Sequence, residues 1–515
     1  MRLAARRTPS RRLAFLVTGV TMATVATFMT TGVLTEASSA GATGYAVVAP
    51  QHAVPAVRDS LSPGRSSPVS HDNEVMALAT QGGRLFAATD QWMYPGPRAY
   101  GQILVKNSAG GPWRVFERTQ VLRVQALDSF PIPADQGLGA GHSLLVTQVI
   151  VHGRSVIQWL LDGARSFAPS NSFTLASTAA NVRAFGAHES GGVWSVYAGV
   201  APTGILRGTW SKTRQTLQWS TVPELAASAP GSPGVQTQKV TGFASCAGAL
   251  YVSIDTVLYR RNDSGAAAAA LSRWVPVYEE PPVAAHNSGL RGVTCVTHDG
   301  APSLLLSTEG NGDVYRLDDL PRGRLAGGAA VSPGHPWPGI TPVLEFDPVP
   351  ALRSLLAASG TPVPARGKGS IDYVIAAYNN FESIDVGGVT RQFFGIEHAY
   401  LGGCPATRRC GPTAFGSATF DAAACFAVRT DSGGPAAPSY AVRCLSGPDF
   451  TPVAQPGDPI TTGQAFVSIR SIAASPFHDG RLYYAGYDCN FYPADGTAWV
   501  GSSTAAAVGL GRLSV

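Results

Sequence analysis

The chain has 515 residues, 45% of them hydrophobic and only 14% charged, with 58 Gly and 38 Pro. This composition allows a large buried core and excludes a helical bundle, because about one residue in five is a turn-maker suited to short strands joined by tight turns. The formal charge of +5 is an N-terminal effect: with Arg2, Arg6, Arg7, Arg11, Arg12 and Glu36 set aside, 38 basic against 33 acidic residues become 33 against 32. That balance excludes an electrostatic footprint for nucleic acid.

Residues 1–42 read as an export signal. The arginines precede an uncharged apolar run from Leu13 to Leu34, and Ala40 and Ala42 stand at the small-residue positions of a cleavage site. Cleavage after Ala42 gives Thr43 as the new N-terminus; if residues 13–34 are not removed, they serve as a membrane anchor on an outward-facing protein. Ser10, Arg11, Arg12 and Phe15 loosely match a twin-arginine signal, which leaves the export route open. A Pro- and Ser-rich lead follows over 43–70.

From 71 to 501 one grammar recurs: an alternating strand, a Gly-centred turn, a second strand and then a third. It is clearest in VMALATQGGRLFAATD from Val75, VTGFASCAGALYVSID from Val240 and IRSIAASPFHDGRLYYAGYD from Ile469. Looser copies begin near Arg123, Val182 and Leu290, and another around Ile371 reads IDYVIAAYNN. Third strands are expected at Gly101, Gly204, Thr256 and Gly312, and Trp113, Trp219 and Trp274 are placed to fill gaps between neighbouring sheets. A short helix is expected at ALRSLLAAS, and residues 404–444 read as an insertion. The expected fold is all-β: a single β-propeller of seven blades, with six as the alternative, and a tail at 502–515.

The seven cysteines all lie in the second half. In an oxidising compartment they are disulfide candidates, and the spacing lacks the CxxC pairs of a zinc site. Cys425 and Cys444 close a predicted hairpin, Cys404 and Cys410 bracket a short loop, and Cys246 and Cys295 occupy similar places in successive repeats, which leaves Cys489 over.

The phrases ALATQGGRLFAATD and IAASPFHDGRLYYAGYD resemble the repeats of sortilin-type and sialidase-type propellers, in which a turn leads to a strand of the type LYAGT. The resemblance covers most of 71–501 and implies architecture only. No segment matches the SxDxGxxW box of sialidases, so glycosidase activity does not follow from it.

In a propeller the loops after second strands share a face with the loops that join blades. Asp90, Gln148, Asp255, Glu309, Asn379 and Asp488 stand at or near that point, and Asn490 lies beside the last of them in an aromatic-rich loop. These oxygen acceptors would suit a sugar, a polar peptide or Ca²⁺, although each residue type also ends strands by bonding turn backbone. No cofactor is expected, with calcium as an option at EGNGD from Glu309. TDSGGP from Thr430 lacks the upstream histidine setting of a serine protease, and HExxH, GxSxG and phosphate-binding motifs are absent. The sequence therefore points to a secreted binding or scaffold protein that recognises an extracellular glycan or protein through one propeller face. The alternative is a carbohydrate-active hydrolase or lyase using rim carboxylates such as Asp90, Glu309 and Asp488, and a third reading is a tethered structural surface protein.

Overall fold

The computed structural model describes strand segments 46–47, 53–55 and 57–59 and residues 74–508, apart from 91–100, 120–122, 179, 227–238, 264–273, 282–288, 326–330, 334, 359–370, 380, 402–418, 421–423, 432, 435, 447–467 and 488–498. The signal segment, Cys404, Cys410, Cys489, Asp488 and Asn490 lie outside the described residues. Among the described residues no helix is long and apolar enough to cross a membrane.

The all-β expectation holds. Alternating apolar runs broken by positive-φ glycines, such as Gly82 and Gly83 between Gln81 and Arg84, fold into antiparallel hairpins. Strands then add in order to make groups of four. The first group is Glu74–Gln81, Arg84–Asp90, Gln102–Lys106 and Arg114–Arg118. The second begins at Leu127–Pro131, the third at Asn181–Ser190, the fourth at Val240–Cys246 and the fifth at Gly289–His298.

The sixth group departs from the expected layout. Ile371–Ala376 is its first strand, not its second, and continues after an excursion as Glu382–Val386; both halves pair with Val389–Leu401. Cys425–Thr430 and Ser439–Ser446 follow as its outer pair, so the hairpin that reads as part of an insertion completes a sheet. The predicted helix forms at Val349–Ala358, between the fifth and sixth groups.

The last group comprises Ser468–Ala474, Arg481–Tyr487 and Trp499–Thr504, and its outer strand comes from the N-terminal lead: Val57–Asp59 pairs antiparallel with Trp499–Thr504. Ala46–Val47 and Ala53–Pro55 lie parallel to Ser439–Ser446. The two ends of the chain are thus joined by strand pairing, which satisfies edge groups that would otherwise be open.

First strands of successive groups are neighbours throughout, and Ser468–Ala474 of the last packs on Glu74–Gln81 of the first. The core follows the same circuit. Each apolar cluster draws on two consecutive groups, as Phe86 and Val105 with Leu145 and Leu160 do, and Ala473, Tyr483 and Val500 of the last group close onto Val75 and Leu104 of the first. Trp113 and Trp274 are buried in such seams, while Trp219 stacks on Phe173 at 5.9 Å. Where sheets approach most closely only hydrogen fits: a Cβ on Gly395 would stand 1.9 Å from the Ile469 carbonyl oxygen.

Two expected disulfides are present. Cys425 and Cys444 are direct cross-strand partners, with Cα atoms 4.0 Å apart, and Cys246–Cys295 ties the first strands of the fourth and fifth groups.

Candidate functional site

Every first strand except the sixth carries, at or just before its start, a triplet of an apolar residue, a variable residue and a small one. The triplets are Val75-Met76-Ala77, Val124-Gln125-Ala126, Val182-Arg183-Ala184, Val240-Thr241-Gly242, Leu290-Arg291-Gly292 and Ile469-Arg470-Ser471. In five of them the ladder register slips across the middle residue, a β-bulge that leaves it unpaired and re-aims its side chain. The sixth group enlarges the same device: the ladder breaks between Ala376 and Glu382, and the break holds Tyr378, against which Arg291 and Arg470 lie, and Asn379, which lines a cavity.

The result is a buried cluster of arginines around one phenol. The Arg470 and Arg291 guanidiniums lie 3.6 and 4.5 Å from the centre of the Tyr378 ring. Burial alone would raise the Tyr378 phenol, but Arg470, Arg291, Arg123 and Arg183 together hold it below the usual tyrosine range.

Three of these arginines have acidic partners. Arg470 donates to Glu74 at 2.7 Å and to Glu397 at 2.5 Å; Arg123 donates to Glu74 at 2.8 Å and to Asp90; Arg291 pairs with Glu309. Burial pushes Asp90 well above the ordinary aspartate range and the neighbouring Glu74 charge adds to this, against the pull of Arg123. For Glu74, Arg123 and Arg470 outweigh burial and keep it ionised. Burial thus favours the neutral form at Asp90, and the two arginines favour the charged form at Glu74.

Arg183 is different. It has no ion pair among the described residues, and burial, with Arg291 and Arg123 nearby, lowers its pKa against the partial compensation of Tyr378 and Glu309. A guanidinium remains protonated even so, which leaves a cation in want of an anion.

Arg183 lines a cavity of about 90 Å³ bounded by residues from the first strands or inner hairpins of every group but the fifth. Its polar wall is Gln125, Asp128, Arg183, Asn379, Glu382 and Arg470, and its apolar wall includes Phe185, Phe243, Phe381, Phe393 and Phe394. Neither Asp128 nor Glu382 has a cationic partner within ion-pair distance among the described residues. Burial raises Asp128 to about 7, opposed by the Phe185 backbone N–H, and burial together with the Asp128 charge raises Glu382 to about 8.

The acceptors named from sequence are distributed around this cluster. Asp90 and Glu309 are buried and engaged by Arg123 and Arg291, with Lys239 4.0 Å from Glu309. Gln148 is buried and donates to the Ser155 hydroxyl at 2.7 Å. Asp255, in a positive-φ turn, accepts the Lys239 N–H at 3.2 Å. Asn379 alone of the described set lines the cavity, where its amide donates to the Met76 carbonyl. Among the described residues no group of three or more His, Cys, Asp or Glu side chains could hold a metal ion.

Sequence reasoning missed Arg183 and Asp128. The triplet was available as a signal, because an arginine between an apolar and a small residue inside a buried strand has no place to go but inward.

No protein-family model and no curated protein matches the chain. Among solved structures, the GH43_1 enzyme from Xanthomonas citri complexed with xylose shares 10% identity, with 87% of this chain and 89% of that one covered and a TM-score of 0.29. The WD40 domain of SCAP from fission yeast shares 10% over 87% and 98%, with a TM-score of 0.32. A protein from Lactobacillus plantarum shares 9% over 64% and 80%, with a TM-score of 0.30. Matches at this level assign neither a fold nor an activity.

Proposed function

We propose that this chain is an exported β-propeller of seven blades that binds an acidic sugar residue in its central cavity. The seven apolar clusters, each shared by consecutive sheets and the last returning to the first, support the blade count. The signal-like segment 1–42 and the two disulfides support an oxidising, extracytoplasmic setting.

The observation that carries the reading is Arg183. Arg123, Arg291 and Arg470 are matched to carboxylates from the protein, and Arg183 alone of the four lines the cavity without a carboxylate at ion-pair distance among the described residues, only partly compensated by Tyr378 and Glu309. A ligand carboxylate would satisfy it with a charge-assisted, bidentate hydrogen bond. The phenylalanine walls offer faces to a sugar ring, and Asn379 and Gln125 offer polar groups to its hydroxyls.

The test is calorimetry on the mature protein with glucuronate and galacturonate against glucose and galactose. Uronates are expected to bind selectively, and Arg183→Met to weaken them about 10- to 100-fold, the equivalent of one charge-assisted contact. Equal affinity for acidic and neutral sugars, or an Arg183→Met variant that binds as wild type, would overturn the reading.

A further inference from the structure

We propose that Ser245, His188 and Asp263 form a nucleophilic triad that hydrolyses carboxylic esters presented at the far ends of the first strands from the cavity. The three side chains make one chain of hydrogen bonds across two sheets. The Ser245 hydroxyl lies 2.8 Å from His188 Nδ1, and His188 Nε2 lies 3.1 Å from Asp263 Oδ2. His188 stands near the end of Asn181–Ser190 in the third group, Ser245 near the end of Val240–Cys246 in the fourth, and Asp263 just beyond the strand Val257–Arg261. None of them lines the cavity of Arg183. Arg183 stands near the start of the strand whose end carries His188, which puts the two roughly 16 Å apart along it.

Asp263 is also paired with Arg261, which Glu224 holds in turn at 2.8 Å. An ionised carboxylate can only accept, so the proton of a neutral imidazole belongs on Nε2, and Nδ1 keeps the lone pair that accepts from Ser245. That is the tautomer in which a base draws a proton from a hydroxyl. A structural role explains why the buried His188 has two partners, but it does not explain the exposure of one of them. Every other residue of Val240–Cys246 is buried, and Ser245 alone is exposed. The two-residue turn that follows is open as well, since a Cβ on Gly248 would meet nothing within 4 Å. The hydroxyl that the base contacts is therefore the one side chain of this strand within reach of an outside molecule.

Ser245 Oγ adds to the acyl carbon of the ester, and its proton passes to His188 Nδ1 while Nε2–H donates to Asp263. The bond from the acyl carbon to the alcohol oxygen then breaks, and His188 returns the proton to that oxygen as the alcohol leaves. Water adds to the acyl carbon of the resulting Ser245 ester and gives a proton to His188, which hands it to Ser245 Oγ as the carboxylic acid departs. One ester and one water become one acid and one alcohol. Ser245 and His188 are the catalytic residues, and Asp263 is a positioning residue that holds the imidazole in its working tautomer. Esters are the expected substrates rather than amides, because an alkoxide is the better leaving group.

The experiment treats mature protein with 4-nitrophenyl acetate and with a fluorophosphonate, and maps the fluorophosphonate label by mass spectrometry of peptides. Wild type should hydrolyse the ester at a saturable rate, and the label should fall on Ser245 and abolish that rate. Ser245→Ala should remove the label and lower kcat at least about 100-fold, with an unchanged urea unfolding midpoint because only an exposed hydroxyl is lost. Asp263→Asn should lower kcat at least about 100-fold with KM within about threefold of wild type, a split that a merely structural role would not produce. Hydrolysis that survives Ser245→Ala, a wild-type kcat in Asp263→Asn, a label on any other residue, or the absence of either hydrolysis or labelling at neutral pH overturns the proposal.

Discussion

Replacing Glu382 by Gln should stabilise this protein, and increasingly so as pH rises. The glutamate is half-buried in the cavity wall, and desolvation there together with the Asp128 charge raises its folded pKa to about 8 from an ordinary value of 4.5. Between those values the native state holds a proton that the unfolded chain has released, so folding stability falls as pH rises through the window. Each pH unit of that gap corresponds to about 1.4 kcal/mol, which gives a penalty of about 3 kcal/mol at pH 7 and about 5 kcal/mol by pH 9. Gln has nearly the shape of the protonated acid and does not titrate, so it removes the penalty. Urea unfolding of wild type and Glu382→Gln from pH 4 to 9 is the assay, because the difference between the two isolates Glu382 together with its interaction with Asp128 and cancels the groups that do not interact with it. The variants should agree within about 1 kcal/mol at pH 4, and the advantage of Gln should grow to several kcal/mol at pH 9. Parallel stability curves, or a Gln variant that is the less stable at pH 9, would refute the placement of Glu382 in a desolvated cavity.

Two further outcomes follow from the same structure. Glu74→Gln removes the charge that Arg123 and Arg470 share and should cost about 3 to 5 kcal/mol, more than Asp90→Asn, whose neutral form burial favours. Equal losses in urea unfolding would refute that ordering. The Cys425→Ala, Cys444→Ala double variant opens a loop with a sequence separation of 19 and should lose about 3 kcal/mol in the same assay, with uronate affinity unchanged because the bridge lies in the outer half of its sheet.

How much was legible in sequence depended on the range of the interaction. Val75–Asp90 and Val240–Asp255 announced their hairpins because two-residue alternation and a glycine turn are local signals, and the strands formed where that pattern placed them. Cys425 and Cys444 could be paired for the same reason, since a hairpin brings its own ends together. The sixth group was misread because residues 377–381 interrupt its first strand, and an excursion from a ladder is visible only when its partner, Val389–Leu401, is in place. The strand Val57–Asp59 was hidden in a Pro- and Ser-rich lead because its partner lies at the opposite end of the chain.

The site was the least legible part. Asp90 and Glu309 stand at the ends of second strands and Asn379 lies where a first strand is interrupted, but which charges meet there was decided by contacts such as Glu74 with Arg470, 396 residues apart. Composition, turn chemistry and periodicity determined that this chain makes many short antiparallel strands and two of its staples, since these depend on near neighbours. Tertiary structure alone decided that Arg183, Asp128 and Glu382 share one cavity, and it set their protonation, because burial and unpaired charge exist only after distant strands have closed around the centre.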